Sequence, residues 1–195
     1  LLSTDVVRNF RGVNFDLLYG LPMQTRDTLK RTIEQTIQLA PDRVTLLKYA
    51  HVPEVRQHMK LINKNDLPDD DQLPLMFSEA VKHLTDGGYI WVGINDFAKP
   101  SDDLAKAAKN GTVGRNFGGS SPGRADNIFG VGPTVTSFFG NHYFQSAYDL
   151  KYYTESVTAG SFPVTKAFEL SSDELARKDI VFSVICSQGL NFQVF

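Results

Sequence analysis

The sequence predicts an α/β fold built on a parallel sheet, and three observations carry that prediction. Compact apolar segments alternate with amphipathic stretches through the first half of the chain, from GVNFDLLYG to a third apolar segment that opens at Tyr89. Strands separated by helical crossovers pair in parallel. Val13, Phe15, Leu17 and Leu18 also read as a strand apolar on both faces, which belongs inside a sheet covered by helices.

The elements follow in order. GVNFDLLYG is the first strand, and GLPMQT is a turn that brings Thr25 to a helix N-cap. Leu29, Ile33 and Ile37 recur every four residues as one stripe on a helix that Pro41 closes. RVTLLKYA, Arg43 to Ala50, is the second strand. Asp69, Asp70 and Asp71 load the start of the next helix with acid, where the macrodipole favours it. They read as a solvated first turn, since no metal-ligand spacing accompanies them. Leu73, Met76, Phe77, Ala80, Val81 and Leu84 form that helix's core face, and Gly87-Gly88 ends it. YIWVGINDFA is the third strand.

From Asn110 to Gly140 the pattern changes, because more than half of the 15 glycines lie there. This reads as a functional loop or an irregular last strand in which Phe117, Ile128, Phe129, Val131 and Val135 need burial. Two helices are expected beyond it, Asp149 to Ala159 and Ser171 to Ser187. The second opens on Ser171-Ser172-Asp173-Glu174 with capping-box spacing.

Composition excludes several classes of function. The net charge of −2 offers no basic excess for nucleic acid. No apolar run is long enough to cross a bilayer. A single cysteine, Cys186, excludes a disulfide framework and fits a reducing compartment, so the cytoplasm is expected. The chain opens at Leu1 without Met and stops at LNFQVF, and both ends read as cut from something longer.

Most motifs fail on their chemistry. GGSSPGRA nearly has phosphate-loop spacing, but Arg124 stands in place of Lys, and Ala125 lacks the hydroxyl that would hold magnesium. FGVGPTVTSFFG lacks the third glycine of a dinucleotide loop. His51, His58, His83 and His142 have no zinc spacing, and Cys186 lies in an apolar run. Ser120 and Ser121 have no nucleophile elbow around them.

Asp16 remains. An ionised carboxylate within an apolar strand costs several kcal/mol unless it is paired or hydrogen-bonded. Ligands of parallel sheets sit beyond the carboxyl ends of the strands, where Asp16 and Ala50 are expected. A ribose whose hydroxyls donate to Asp16 and a structural role capping a helix or pairing with an arginine fit the residues equally well.

NFDLLYGLPMQT, LAPDRVTLLKYAHVP, LTDGGYIWVGINDFAKPSDDLAKAAKNG and RNFGG, in this order, resemble the oxygen-independent coproporphyrinogen III oxidases, radical S-adenosylmethionine enzymes. The resemblance covers nearly the whole chain. It implies the second half of a partial (β/α) radical-SAM barrel over residues 1–140 and the beginning of a mostly helical domain over 141–195. It also implies that S-adenosylmethionine is contacted by Asp16, Ala50 and Phe117, and by Thr136, whose position matches although the family has an apolar residue. Arg115, Lys99 and Arg124 are the cations considered for the carboxylates of a tetrapyrrole substrate.

In the family, a 4Fe–4S cluster reductively cleaves S-adenosylmethionine. The resulting radical takes hydrogen from a propionate, and loss of carbon dioxide leaves a vinyl group. The cluster's CxxxCxxC motif precedes the matching region, so its ligands are expected upstream of Leu1 and the chain alone is expected to be inactive. Gly118 stands where the family has Gln, and Asn95-Asp96 where it has an Asp-His pair. These departures also suit a haem-delivering relative. An open barrel edge is expected to favour self-association.

Overall fold

The computed structural model describes residues 12–187. The ends, including LNFQVF, lie outside them. The chain divides into two compact units, Leu1–Asn110 and Gly111–Phe195.

In the first unit β1 (Asn14–Tyr19) leads into α1 (Arg26–Leu39), β2 (Arg43–Lys48), two short 3-10 turns and α2 (Gln72–Asp86). β3 (Ile90–Val92), β4 (Asp96–Ala98) and α3 (Asp103–Asn110) complete it. Thr25 caps α1 as expected, in a capping box closed by Thr28, and Ala40 ends the helix in the left-handed conformation. Leu29 and Ile33 are buried by the α1 stripe, and Met76, Ala80 and Leu84 by α2. Asp69 Oδ1 accepts from the Gln72 backbone N–H at the start of α2.

The sheet runs in the order β1-β2-β4-β3. β1 and β2 are parallel, with α1 as their crossover. The third expected strand is a hairpin instead: YIWVGINDFA folds back at Gly93, whose φ is +58°, and β4 pairs antiparallel with both β2 and β3. Gly93 interrupts the apolar run where only a turn fits, so the sheet is mixed. The second strand also stops at Lys48, which leaves Ala50 in the loop beyond it.

β1 is not buried on both faces. Phe15, Leu17 and Tyr19 alternate with exposed Asn14, Asp16 and Leu18. Leu17 and Tyr19 pack on a core of Leu29, Ile33, Val44, Leu46, Met76, Leu84 and Phe97. On β1 this is the face that packs on the helical core. The other is open along β1, where Asn14, Asp16 and Leu18 lie opposite Arg43, Thr45 and Leu47 of β2.

The second unit holds a hairpin, β5 (Gly114–Asn116) with β6 (Gly119–Ser121). A three-stranded antiparallel sheet of β7 (Thr136–Phe139), β8 (His142–Ser146) and β9 (Val164–Glu169) follows, with α4 (Leu150–Thr158) and α5 (Ser172–Ser187). Both helices lie where expected, α4 capped by Asp149 and α5 by Ser171 with Glu174. The strands β8 and β9 were not expected, so residues 141–187 combine two helices with two strands. Residue 140, the expected boundary, lies in the β7–β8 turn. Of the apolar side chains expected to need burial here, Phe117, Phe129 and Val131 are 71%, 72% and 85% exposed.

Candidate functional site

Asp16 is exposed in mid-strand, so it carries no desolvation cost that demands an explanation. Among the described residues no arginine or main-chain amide donates to it; Asn14 Nδ2 donates to its Oδ1 at 2.7 Å. Across β2 it stands in register with Thr45, and Thr45 with Asp96, so the three form one row across the sheet. The Thr45 hydroxyl donates to Asp96 Oδ1 at 2.9 Å. Asp96 is buried, at 6% exposure. The strand pattern Asn14-x-Asp16 was the sequence signal for a polar face, and it was overlooked among the apolar neighbours.

The row can accept the hydroxyl hydrogens of a sugar, since an ionised carboxylate offers about four lone-pair sites and Asn14 uses one. Ala50 is exposed beyond the carboxyl end of β2. On chemistry alone, a carboxylate such as Asp16 fits the hydroxyls of a nucleoside sugar. Cluster ligands are a different matter. Among the described residues no three His, Cys, Asp or Glu side chains are grouped to hold a metal, and Cys186 is buried in α5. The described residues therefore do not fit an iron–sulfur cluster.

Phe117, at the β5–β6 turn, and Thr136, which opens β7, line one cavity of about 630 Å³ in the second unit. Arg115, Arg124, Lys178 and Tyr143 share its wall. The Phe117 ring meets Tyr143 edge-on at 5.2 Å. Lys178 Nζ lies 4.1 Å above the Phe138 ring, a cation held by an aromatic face. Arg115 also donates to the Ser120 hydroxyl. Backbone packing fixes this hairpin, because a Cβ at Gly114 would come within 2.3 Å of the Gly123 carbonyl oxygen. The structure thus joins Phe117 and Thr136 to two of the three expected cations. Lys178 was missed because it lies far along the sequence, on a helix.

The third cation, Lys99, belongs to the first unit. It donates to the Ala40 carbonyl at 2.5 Å and lies 3.6 Å from Asp42, which makes it a clamp on the end of α1.

No family model matches the chain. Curated relatives do. Oxygen-independent coproporphyrinogen III oxidase from Pseudomonas aeruginosa is 35% identical over 94% of this chain, and that from Escherichia coli 33% identical over 94%. The chain is a homologue of part of these oxidases. It spans about 40% of their length. A solved structure of coproporphyrinogen III oxidase (HemN) from Escherichia coli, described as a radical SAM enzyme, superposes with a TM-score of 0.86 at 32% identity. The match covers 97% of this chain and 44% of that one, so the α/β fold is that of the matched part of a radical SAM enzyme. The ordered segments from NFDLLYGLPMQT to RNFGG therefore mark homology in both sequence and fold.

Proposed function

We propose that this chain is the second half of the barrel, and the start of the following domain, of an oxygen-independent coproporphyrinogen III oxidase-type enzyme. The observation that carries the reading is Asp16, an exposed carboxylate on the open sheet face of a chain homologous to those oxidases. Residues 1–140 would contribute the barrel portion and 141–195 the beginning of the later domain. Asp16 and Ala50 receive the ribose side of S-adenosylmethionine. For Phe117 and Thr136 the family resemblance implies contact with the same cofactor.

When bound beside a reduced 4Fe–4S cluster, S-adenosylmethionine supplies a carbon-centred radical that removes hydrogen from a substrate side chain. The residues of this chain bind and orient. Arg115 and Arg124 offer charge-assisted donors for the carboxylates of a tetrapyrrole. The cluster ligands belong to a part of the parent protein outside this chain, which alone is inactive. The parent works in the cytoplasm without nucleic acid or membrane partners. No helix among the described residues is long and apolar enough to cross a membrane.

The test is the full-length protein with a reconstituted cluster. Formation of 5′-deoxyadenosine together with a decarboxylated porphyrinogen supports the reading, and deoxyadenosine without porphyrinogen product removes the substrate assignment. The Asp96 and Gly118 departures favour a second reading, haem delivery. Haem titration followed in the Soret region separates the two, since a stable stoichiometric complex without decarboxylation supports delivery. Asp16→Ala is expected to weaken adenosylmethionine binding while the domain stays folded.

A further inference from the structure

The open face of β1 carries a hydrogen-bonded arrangement of Asn14, Asp16 and Thr45. Asn14 and Asp16 are two residues apart on one strand and share a face, and the Asn14 amide nitrogen lies 2.7 Å from Asp16 Oδ1. A carboxylate only accepts, so the amide must turn its nitrogen toward Asp16 and its oxygen away. That oxygen lies 3.3 Å from Thr45 Oγ1. The single Thr45 proton is directed mainly at the nearer, buried Asp96, 2.9 Å away, with the Asn14 oxygen as a longer second acceptor. Thr45 is therefore anchored by Asp96 on the adjacent strand, and Asn14 sits between that anchor and Asp16.

An exposed Asp side chain without a local donor rotates freely among its rotamers, and a ligand must pay the entropy of fixing it. Asn14 removes part of that freedom by holding Oδ1. Oδ2 makes no hydrogen bond among the described residues, and the exposed position of Asp16 leaves it free to accept from a pair of neighbouring hydroxyls.

We propose that Asn14 is a positioning residue for Asp16, fixing the carboxylate for the vicinal hydroxyls of a nucleoside ribose, with Thr45 as its support. The proposal rests on the reading of Asp16 as a cofactor contact. Asn14 itself does not touch the ligand. Its effect is confined to the sugar and passes through Asp16.

The experiment measures equilibrium binding of S-adenosylmethionine, and of its 2′,3′-dideoxy analogue, to the full-length protein by calorimetry. Wild type, Asp16→Ala, Asn14→Ala and the double variant are compared. Loss of the charged hydrogen bond in Asn14→Ala is expected to weaken adenosylmethionine by about fivefold to tenfold and to leave the dideoxy analogue unchanged. In the Asp16→Ala background the Asn14 change is expected to add nothing, because the two residues act as one unit. Thr45→Val is expected to show a smaller loss with the same ligand dependence. If Asp16→Ala weakens binding and Asn14→Ala does not, the positioning role is overturned and the cofactor reading stands. Equal losses for both ligands in Asn14→Ala also overturn it, since a general disturbance of the strand would do that. If Asp16→Ala leaves affinity unchanged, the cofactor reading falls first and the inference with it.

Discussion

The phenolic hydroxyl of Tyr89 donates to the carbonyl of Pro41 at 2.6 Å, inside the core. The bond ties the residue that opens the β3–β4 hairpin to the turn between α1 and β2. Tyr89→Phe keeps the ring but leaves that carbonyl without its donor, so it is expected to cost about 1–2 kcal/mol in urea unfolding. Burial, and then the Asp42 carboxylate, hold the Tyr89 phenol above its ordinary 10.0. A raised folded value means that the neutral phenol stabilises the protein fully below about pH 10 and loses that contribution as pH climbs through the folded value. The stability difference between wild type and Tyr89→Phe should shrink only in strong alkali.

Gly20 ends β1 with a φ of +80°, and a Cβ there would come within 2.7 Å of a Leu73 methyl. Gly20→Ala combines a left-handed backbone that side chains resist with an overpacked contact. A loss of about 1–3 kcal/mol is expected by thermal or urea unfolding. If the variant is as stable as wild type, this turn is more pliable than its geometry implies.

Arg26 at the start of α1 forms an ion pair with Glu79 of α2. The Arg26 hydrogen bond holds the Glu79 carboxyl below its ordinary 4.5. The lowered folded value means that the pair's contribution is present above that pH and lost as pH falls through the folded value. Melting temperatures of wild type and Glu79→Gln are expected to differ at neutral pH and converge in acid. Both side chains are partly solvated, so the difference should be small and fade with salt.

Asp102 accepts from Arg43 Nε at 2.9 Å and from the Leu104 backbone N–H at 2.7 Å, joining β2 to the start of α3. Asp102→Ala removes a helix cap and a part-buried ion pair together, and is expected to cost about 1–2 kcal/mol. Asp103→Ala, one residue on, breaks only an exposed pair with Lys106 and should leave the unfolding midpoint nearly unchanged.

Within the described residues β1 is the outer strand of its sheet, paired only with β2. An uncovered edge invites pairing with another chain. The isolated 195-residue chain is therefore expected to show concentration-dependent sedimentation, and a clean monomer across a hundredfold range of concentration would remove that expectation.

The helices were legible because their signals are local. Thr25, Asp149 and Ser171 cap where their side chains can reach the first turn, and the stripes of Leu29, Ile33 and Met76 repeat at the helical period. The strands were harder. YIWVGINDFA is apolar enough to read as one strand, and only Gly93 and Asn95 hint at its reversal. β9 is exposed at every position, so no alternation of burial marks it. Asp16 was singled out for a sound residue-level reason, yet the premise of a buried acid fails. Its exposure follows the alternation of β1, for which the polar pair Asn14 and Asp16 on one face was the local signal. Phe117 and Thr136 came from family resemblance, and the fold brings both to one cavity.

The six residues of β1 answer to two masters. Phe15, Leu17 and Tyr19 are constrained by the helices, and a change there is a change in folding. Asn14, Asp16 and Leu18 can be exchanged with little penalty to the core. Selection can therefore revise what the strand recognises without renegotiating how it is built.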